Sequence, residues 1–316
     1  MDCTRTIREL ICQGSEGRLN GVNPMIATKV SEMQGALPRA WRFLHKSGRE
    51  KARSFYFRWI RVFPNVPVPV RLPFGAWWLA RNDYLGATLF YEGFENAERS
   101  FVQSFLRPGM TVLDIGAHHG YYTLLASRRV GPSGRVLAFE PSPRERNRLN
   151  LHLRFNRCKN VSVESCALGD ADSAGQLFLA PTNESGFNSL RKPDVLGATT
   201  PISVVVQRLD QVLVNQRIES VDFVKLDVEG AELSVLKGAH ELLTKRPRPT
   251  ILAEVQDVRT NPWGYEAKEI VRFLNDLDYR WYAPTAGGSL EEIDVRLEKY
   301  DGNFVAVPEE HGAALR

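Results

Sequence analysis

Residues 111–123 read Thr-Val-Leu-Asp-Ile-Gly-Ala-His-His-Gly-Tyr-Tyr-Thr, and the fold turns on this stretch. Thr111–Ile115 is a short apolar run with one acid in it, the pattern of a buried strand. Gly116 and Gly120 bracket the turn that follows, and residues 121–130 read as a helix stopped by Gly131 and Pro132. Glycine is needed where backbone takes positive φ or closely approaches a ligand. The helix after such a turn points free N–H groups at the same place, which suits a carboxylate or phosphate.

Toward the C-terminus the unit repeats. Strands are predicted over 135–140, 161–167, 221–227 and 250–255, with late ones over 279–282 and 304–307. Helices are predicted over 143–156, from 229 to about 244, and over 266–277. This alternation predicts a doubly wound α/β fold with a parallel sheet and helices on both faces. Ligands in such folds bind outside the carboxyl ends of the strands, near the switch point. Residues 172–209 interrupt the pattern: 176–180 and 202–207 are expected to pair as extra antiparallel strands. The polar loop between them, 181–200, is long enough to be functional.

Toward the N-terminus, 96–106 reads as a helix and 74–92 as a strand or hairpin. The segment PNVPVPVRLP, 64–73, reads as an extended linker or edge strand. Before it, Phe55, Tyr56, Trp59, Ile60 and Phe63 form a helical stripe. The expected organisation is therefore a mainly helical extension, 1–65, and a catalytic domain, 66–316. Lys46, Arg49, Lys51, Arg53, Arg58 and Arg61 give the extension a basic edge. It is read as the solvated face of a packed helix, with contact of residues 40–63 to anionic lipid as the alternative.

Composition excludes little but constrains the class. With 316 residues, 43% hydrophobic and 25% charged, the chain can bury a sizeable core without staples. A net charge of +4 is not the clustered basic face of a nucleic-acid binder, so no nucleic-acid partner is expected. Cys3, Cys12, Cys158 and Cys166 form neither a CxxC pair nor a zinc spacing, which favours a reducing compartment. Residues 1–20 carry charges where a signal peptide needs an apolar run, and no segment approaches the ~18 apolar residues of a membrane span. The expected address is cytoplasmic, with the inner membrane face as the alternative.

Two sites emerge. In the first, Asp114, Gly116, His118 and Gly120 line the turn, and Glu140 ends the next strand, where an acid accepts hydrogen bonds from both ribose hydroxyls. A dinucleotide site would want glycine at 118, and an acid two residues before the first glycine suits an ammonium group. A ligand with an amino-acid end and a ribose fits better, and S-adenosylmethionine (SAM) has both. In the second, Lys225, Asp227, Glu229 and Glu232 surround the end of one strand and Glu254 ends the next. Carboxylates there can take a proton or hold a divalent cation. For Glu229 and Glu232, helix N-terminal capping is the competing role. Lys225 either pairs with Asp227 or is a strand-end charge.

Four stretches in order, DIGAHHGYYT, FEPSPRERNRLNLHLRFN, CALGD and DFVKLDVEGAELSVLKGA, resemble the FkbM-type methyltransferase family, from about residue 70 to 307. The resemblance implies a Rossmann-like SAM-methyltransferase sheet, SAM as donor, and a hydroxyl acceptor on a sugar, glycoconjugate or natural product. It implies donor contacts at Asp114, Gly116, Gly120 and Glu140, with Cys166 and Ala167 beside the adenine. Asp227 is the first candidate for base or metal ligand, with Glu254 as second ligand of a possible Mg²⁺. Phe187, Asn188 and Ser189 are expected to contact the acceptor. The family usually carries Asn-Ile where this chain has His118-His119. The pair is read as neutral and at the surface, with a contact to the methionine carboxylate as the alternative. Two other functions stay open: a nicotinamide-dependent oxidoreductase, and a non-catalytic SAM- or nucleotide-binding module.

Overall fold

The computed structural model describes residues 48–63, 66–81, 83–91 and 94–311. The chain divides into two units, Met1–Arg58 and Trp59–Arg316. Residues 1–47, most of the expected extension and Lys46 of its basic edge, lie outside the described residues. From Gly48 the chain is helical, α1 (Gly48–Val62), with Phe55, Arg58, Arg61 and Val62 exposed. No described helix is long and apolar enough to cross a membrane.

In the second unit, β1 (Val68–Arg71) and β2 (Trp77–Ala80) pair as an antiparallel hairpin. A two-stranded ribbon is all edge, so Pro69 is tolerated. Helices α2 (Tyr84–Tyr91) and α3 (Asn96–Phe105) follow. The expectation of strand or hairpin over 74–92 is thus correct only to Ala80. Asp83 caps α2, its Oδ1 accepting the Gly86 N–H at 2.8 Å.

The α/β unit then runs through β3 (Thr111–Ile115), α4 (Tyr121–Val130), β4 (Arg135–Phe139), α5 (Pro143–Phe155) and β5 (Val161–Glu164). After it come β6 (Ala167–Leu168), β7 (Ser173–Leu179), β8 (Thr200–Gln207), α6 (Leu209–Asn215) and β9 (Phe223–Leu226). The chain continues with α7 (Glu232–Lys237), α8 (His240–Thr244), β10 (Thr250–Gln256), α9 (Asp257–Thr260) and α10 (Lys268–Asn275). It closes on β11 (Tyr279–Pro284), β12 (Leu290–Glu292) and β13 (Asp301–Pro308).

Eight strands form one sheet in the order β12-β11-β13-β10-β9-β3-β4-β5. The five from β10 to β5 are parallel, and β13, β11 and β12 add antiparallel pairings, so the sheet is mixed at one end. The chain builds outward from β3 through β4 to β5, then returns to lay β9 on the other side of β3. The switch point therefore falls between β3 and β9, and the site sits at their carboxyl ends. Strands β7 and β8 pair antiparallel as expected, and β6 joins them in a separate three-stranded sheet. The strand predicted over 161–167 is accordingly two strands in two sheets.

Helix 229–244 is also broken, into α7 and α8. Gly238 lies at the break because a Cβ there would stand 2.0 Å from the Gly169 carbonyl oxygen. The main core packs on the central strands: Leu113, Ile115, Leu137 and Phe139 are buried, as is the face of α10 made by Ile270, Val271 and Leu274. Full burial of each such side chain is worth about 1.5–3 kcal/mol. This core fixes the strand ends that carry the polar groups of the site.

Candidate active site

The turn after β3 is shaped by close contact with the turn after β9. Gly116 has φ +86°, and a Cβ on it would lie 1.7 Å from the Asp227 carbonyl oxygen. The Asp227 N–H donates to the Ile115 carbonyl at 3.0 Å. No L side chain fits at 116 without separating the two strand ends. Gly120, φ +91°, is packed by Leu149 of α5, whose Cδ1 would be 2.4 Å from an added Cβ.

Glu140 is buried and its two oxygens hold backbone in place. Oε2 accepts the His118 N–H at 2.7 Å and Oε1 the Ser142 N–H at 2.9 Å. Burial pushes its carboxyl up to about 8, although these N–H groups and Arg146 pull it down. Asp114 is also buried, accepts the Thr123 hydroxyl, and is raised by burial to about 6.

Two cavities meet over this turn. The first, about 610 Å³, is lined on one side by Phe139, Glu140, Cys166 and Ala167. The second, about 1120 Å³, is lined by Asp114, Tyr122, Lys225 and Glu254 among others. Gly116, His118, Ser185, Gly186, Asp227 and Glu229 border both. The two predicted sites are therefore one continuous groove.

In the second cavity Lys225, buried on β9, places Nζ 3.0 Å from Asp227 Oδ2, which settles the pairing. Burial opposes the charge of Lys225, but Asp227, Glu95 and Glu254 outweigh it and raise its pKa. Glu229 has φ +55° and pairs with Arg259 at 3.0 Å. Burial and then the neighbouring Asp227 charge hold both Glu229 and Glu254 well above the usual carboxylate range. Glu254 Oε2 is buried with no hydrogen-bond partner. Carboxylate oxygens of Asp227, Glu229 and Glu254 lie within 4.8 Å of one another. Glu232 instead turns away into the loop, Oε1 accepting the Val228 and Gly230 N–H groups at 2.9 and 3.2 Å. It braces the loop ahead of α7 from the first turn of that helix, and no side-chain hydrogen bond caps the helix's own N–H groups.

Three expectations need correction or refinement. The His118–His119 pair is not at the surface: the rings stack at 3.6 Å, and His119 is buried near Trp78. Burial lowers His118 to about 4 and His119 well below its ordinary value, so both are neutral. A β-turn position at φ +49° and the β1–β2 hairpin laid over the turn bury them, and neither was legible from the motif. The hairpin is tied down by His152, which accepts the Leu79 N–H at 3.2 Å and donates to the His119 carbonyl at 2.8 Å. Second, of Phe187, Asn188 and Ser189, only Phe187 lines the second cavity, with Arg259 over its ring at 4.5 Å. Asn188 and Ser189 line the first, because the bridge between Phe178 and Ser189 draws them against β7. Third, the motif reading missed Glu95. It lines the second cavity, its Oε2 accepts the Tyr122 hydroxyl at 2.5 Å, and burial raises it to about 7. It lies at φ +43° just before α3, where no periodic pattern flags a site.

These acids predict a pH dependence. Glu95, Glu140 and Glu232 have folded pKa values raised above those of the unfolded chain. The folded state then holds the extra protons, so stability falls as pH rises through about 7–8. Calorimetric melting of the ligand-free protein should give a Tm roughly 5 °C or more lower at about pH 8.5 than at about pH 6. Glu140→Gln, which cannot ionise, should show a smaller fall. A flat profile would mean the carboxyls titrate normally.

Residues 114–281 match the methyltransferase FkbM domain. The 31-O-demethyl-FK506 methyltransferase FkbM of Streptomyces tacrolimicus is 31% identical over 179 residues, 48% of this chain and 68% of that protein. The 2-O-methyltransferase NoeI of Sinorhizobium fredii (strain NBRC 101917 / NGR234) is 29% identical over 164 residues, 46% of this chain and 64% of that protein. The crystal structure of methyltransferase FkbM from Methylobacillus flagellatus KT aligns with 72% of this chain and 56% of its own, at 17% identity and a TM-score of 0.41. The chain spans about three fifths of the length of the curated relatives it matches first.

Proposed function

Because the chain belongs to the FkbM methyltransferase family, we propose that it transfers a methyl group from SAM to a hydroxyl of a sugar, glycoconjugate or natural product. The observation that carries this reading is the single groove with Glu140 at one end, Asp114 at the other, and the Lys225–Asp227 pair opening beside them.

The residues fit the donor. Each Glu140 oxygen spends one lone pair on a backbone N–H and keeps another for a ribose hydroxyl. Cys166, Ala167, Leu168 and Leu177 give an apolar slot for the adenine. In the same cavity Asn188 Nδ2 is buried without a hydrogen-bond partner, a donor ready for a ring nitrogen. Asp114 suits the ammonium, and Gly116 lets the chain pass beneath the ligand without a side chain.

When bound, SAM supplies a sulfonium methyl that moves in line to an oxygen, the C–S electrons returning to sulfur. The protein's part is position and proton removal. Asp227 receives the acceptor's hydroxyl proton as the new C–O bond forms. Lys225 holds Oδ2 of Asp227 and leaves its other oxygen for that proton. Phe187 and the 3₁₀ segment Thr182–Phe187 border the acceptor chamber.

The convergence of Asp227, Glu229 and Glu254 favours a second reading, in which these acids hold Mg²⁺ against the acceptor oxygen. Lys225 and Arg259 already pair two of the three acids, so we favour the metal-free base. Turnover should then survive EDTA within about twofold. A loss of tenfold or more, restored by Mg²⁺, would establish the metal instead.

A further inference from the structure

The positions of the two donor-end acids bear on where the donor's charge lies. With the ribose held at Glu140 and the ammonium at Asp114, the sulfur between them would lie near the residues that border both cavities, with its charge open to the second. Three of the acids there are matched to cations in contact pairs. Asp227 pairs with Lys225, Glu229 with Arg259, and Asp83 with Arg148 at 2.6 Å.

Glu95 differs from these three. Its hydrogen-bond contact is a phenol, Tyr122, and Lys225 acts on it as a neighbouring charge without a contact ion pair. Tyr122 also carries Lys225 Nζ over its ring, 5.4 Å from the centroid, so the hydroxyl, ring and ammonium form one fixed wall. Glu95 sits in the left-handed region, φ +43°, which a non-glycine residue occupies at a cost and which recurs at functional sites. It lies outside residues 114–281, so it is supplied by this chain's own N-terminal part of the unit.

We propose that Glu95 is the specificity residue that recognises the donor's sulfonium charge, favouring SAM over the neutral-sulfur product S-adenosylhomocysteine. This rests on the reading of the groove as a SAM site. A carboxylate whose hydrogen-bond contact is a neutral hydroxyl gains most from a cationic ligand, whereas one already in a contact pair with lysine or arginine gains less. Transfer of the methyl removes the positive charge from sulfur, so the same residue weakens the hold on the product.

The test is calorimetric titration of wild type, Glu95→Gln and Tyr122→Phe with three ligands: SAM, S-adenosylhomocysteine, and sinefungin, which places a protonated amine near the sulfonium position. Glu95→Gln should weaken SAM and sinefungin about tenfold and leave S-adenosylhomocysteine within about twofold. Tyr122→Phe keeps the carboxyl but frees it, and should lose part of the same selectivity; it decides the matter if Glu95→Gln does not fold. An equal loss for all three ligands, or no loss, overturns the proposal. If the wild type binds none of them, the SAM-site reading itself fails, a result distinct from loss of selectivity.

Discussion

Glu140→Ala is expected to abolish measurable binding of S-adenosylhomocysteine, with a loss of at least about 100-fold. Two ribose hydroxyls donate to one carboxylate, and hydrogen bonds to a charged group are worth about 1.5–3 kcal/mol each. Losing both corresponds to roughly 10²- to 10⁴-fold in affinity. The substitution also leaves the His118 and Ser142 N–H groups without their acceptor. The turn after β3 would then lose the bond that fixes His118 at φ +49°. Melting of the variant alongside its titration separates a lost ligand contact from a lost fold. Retained binding in a folded variant would remove Glu140 from the donor site.

Asp227→Asn is expected to lower kcat by about 10³-fold while S-adenosylhomocysteine affinity stays within about threefold. Positioned proton transfer contributes about 10²- to 10⁴-fold, and asparagine cannot take the proton. Its amide oxygen can still accept from Lys225, which keeps the geometry that now holds Nζ at 3.0 Å. Lys225 also retains Glu95 and Glu254 as neighbouring acids, so it is not left without compensation when one charge is removed. Transfer of labelled methyl to an acceptor found by screening glycosides and polyols measures kcat; titration measures affinity. Lost donor binding in this variant would assign Asp227 to the donor and not to the chemistry.

Much of the proposed donor site was legible because strand–turn–helix geometry is local. The spacing from Gly116 to Glu140 covers one βαβ crossover, so it brings the two together whenever β3 and β4 are neighbours. The alternation of Lys225 on β9 and Asp227 just past its end likewise put both charges on one side. The proposed acceptor chamber, the second cavity, was less legible because distant segments build it. Glu95 and Phe94 come from the chain before α3, and they reach the cavity only through the packing of α3. Asn188 and Ser189 were expected at the acceptor by their polarity, and a single strand bridge sets them along the first cavity. The burial of His118 and His119 depended on a hairpin some forty residues away, which no motif encodes.

The central claim is that the groove binds SAM, and titration of the wild-type protein with SAM, S-adenosylhomocysteine and NAD tests it most directly. The account predicts saturable binding of both adenosyl ligands at about one per chain, with micromolar affinity, and none of NAD. Binding of NAD alone, in protein shown to be folded, would contradict it and return the groove to dinucleotide chemistry.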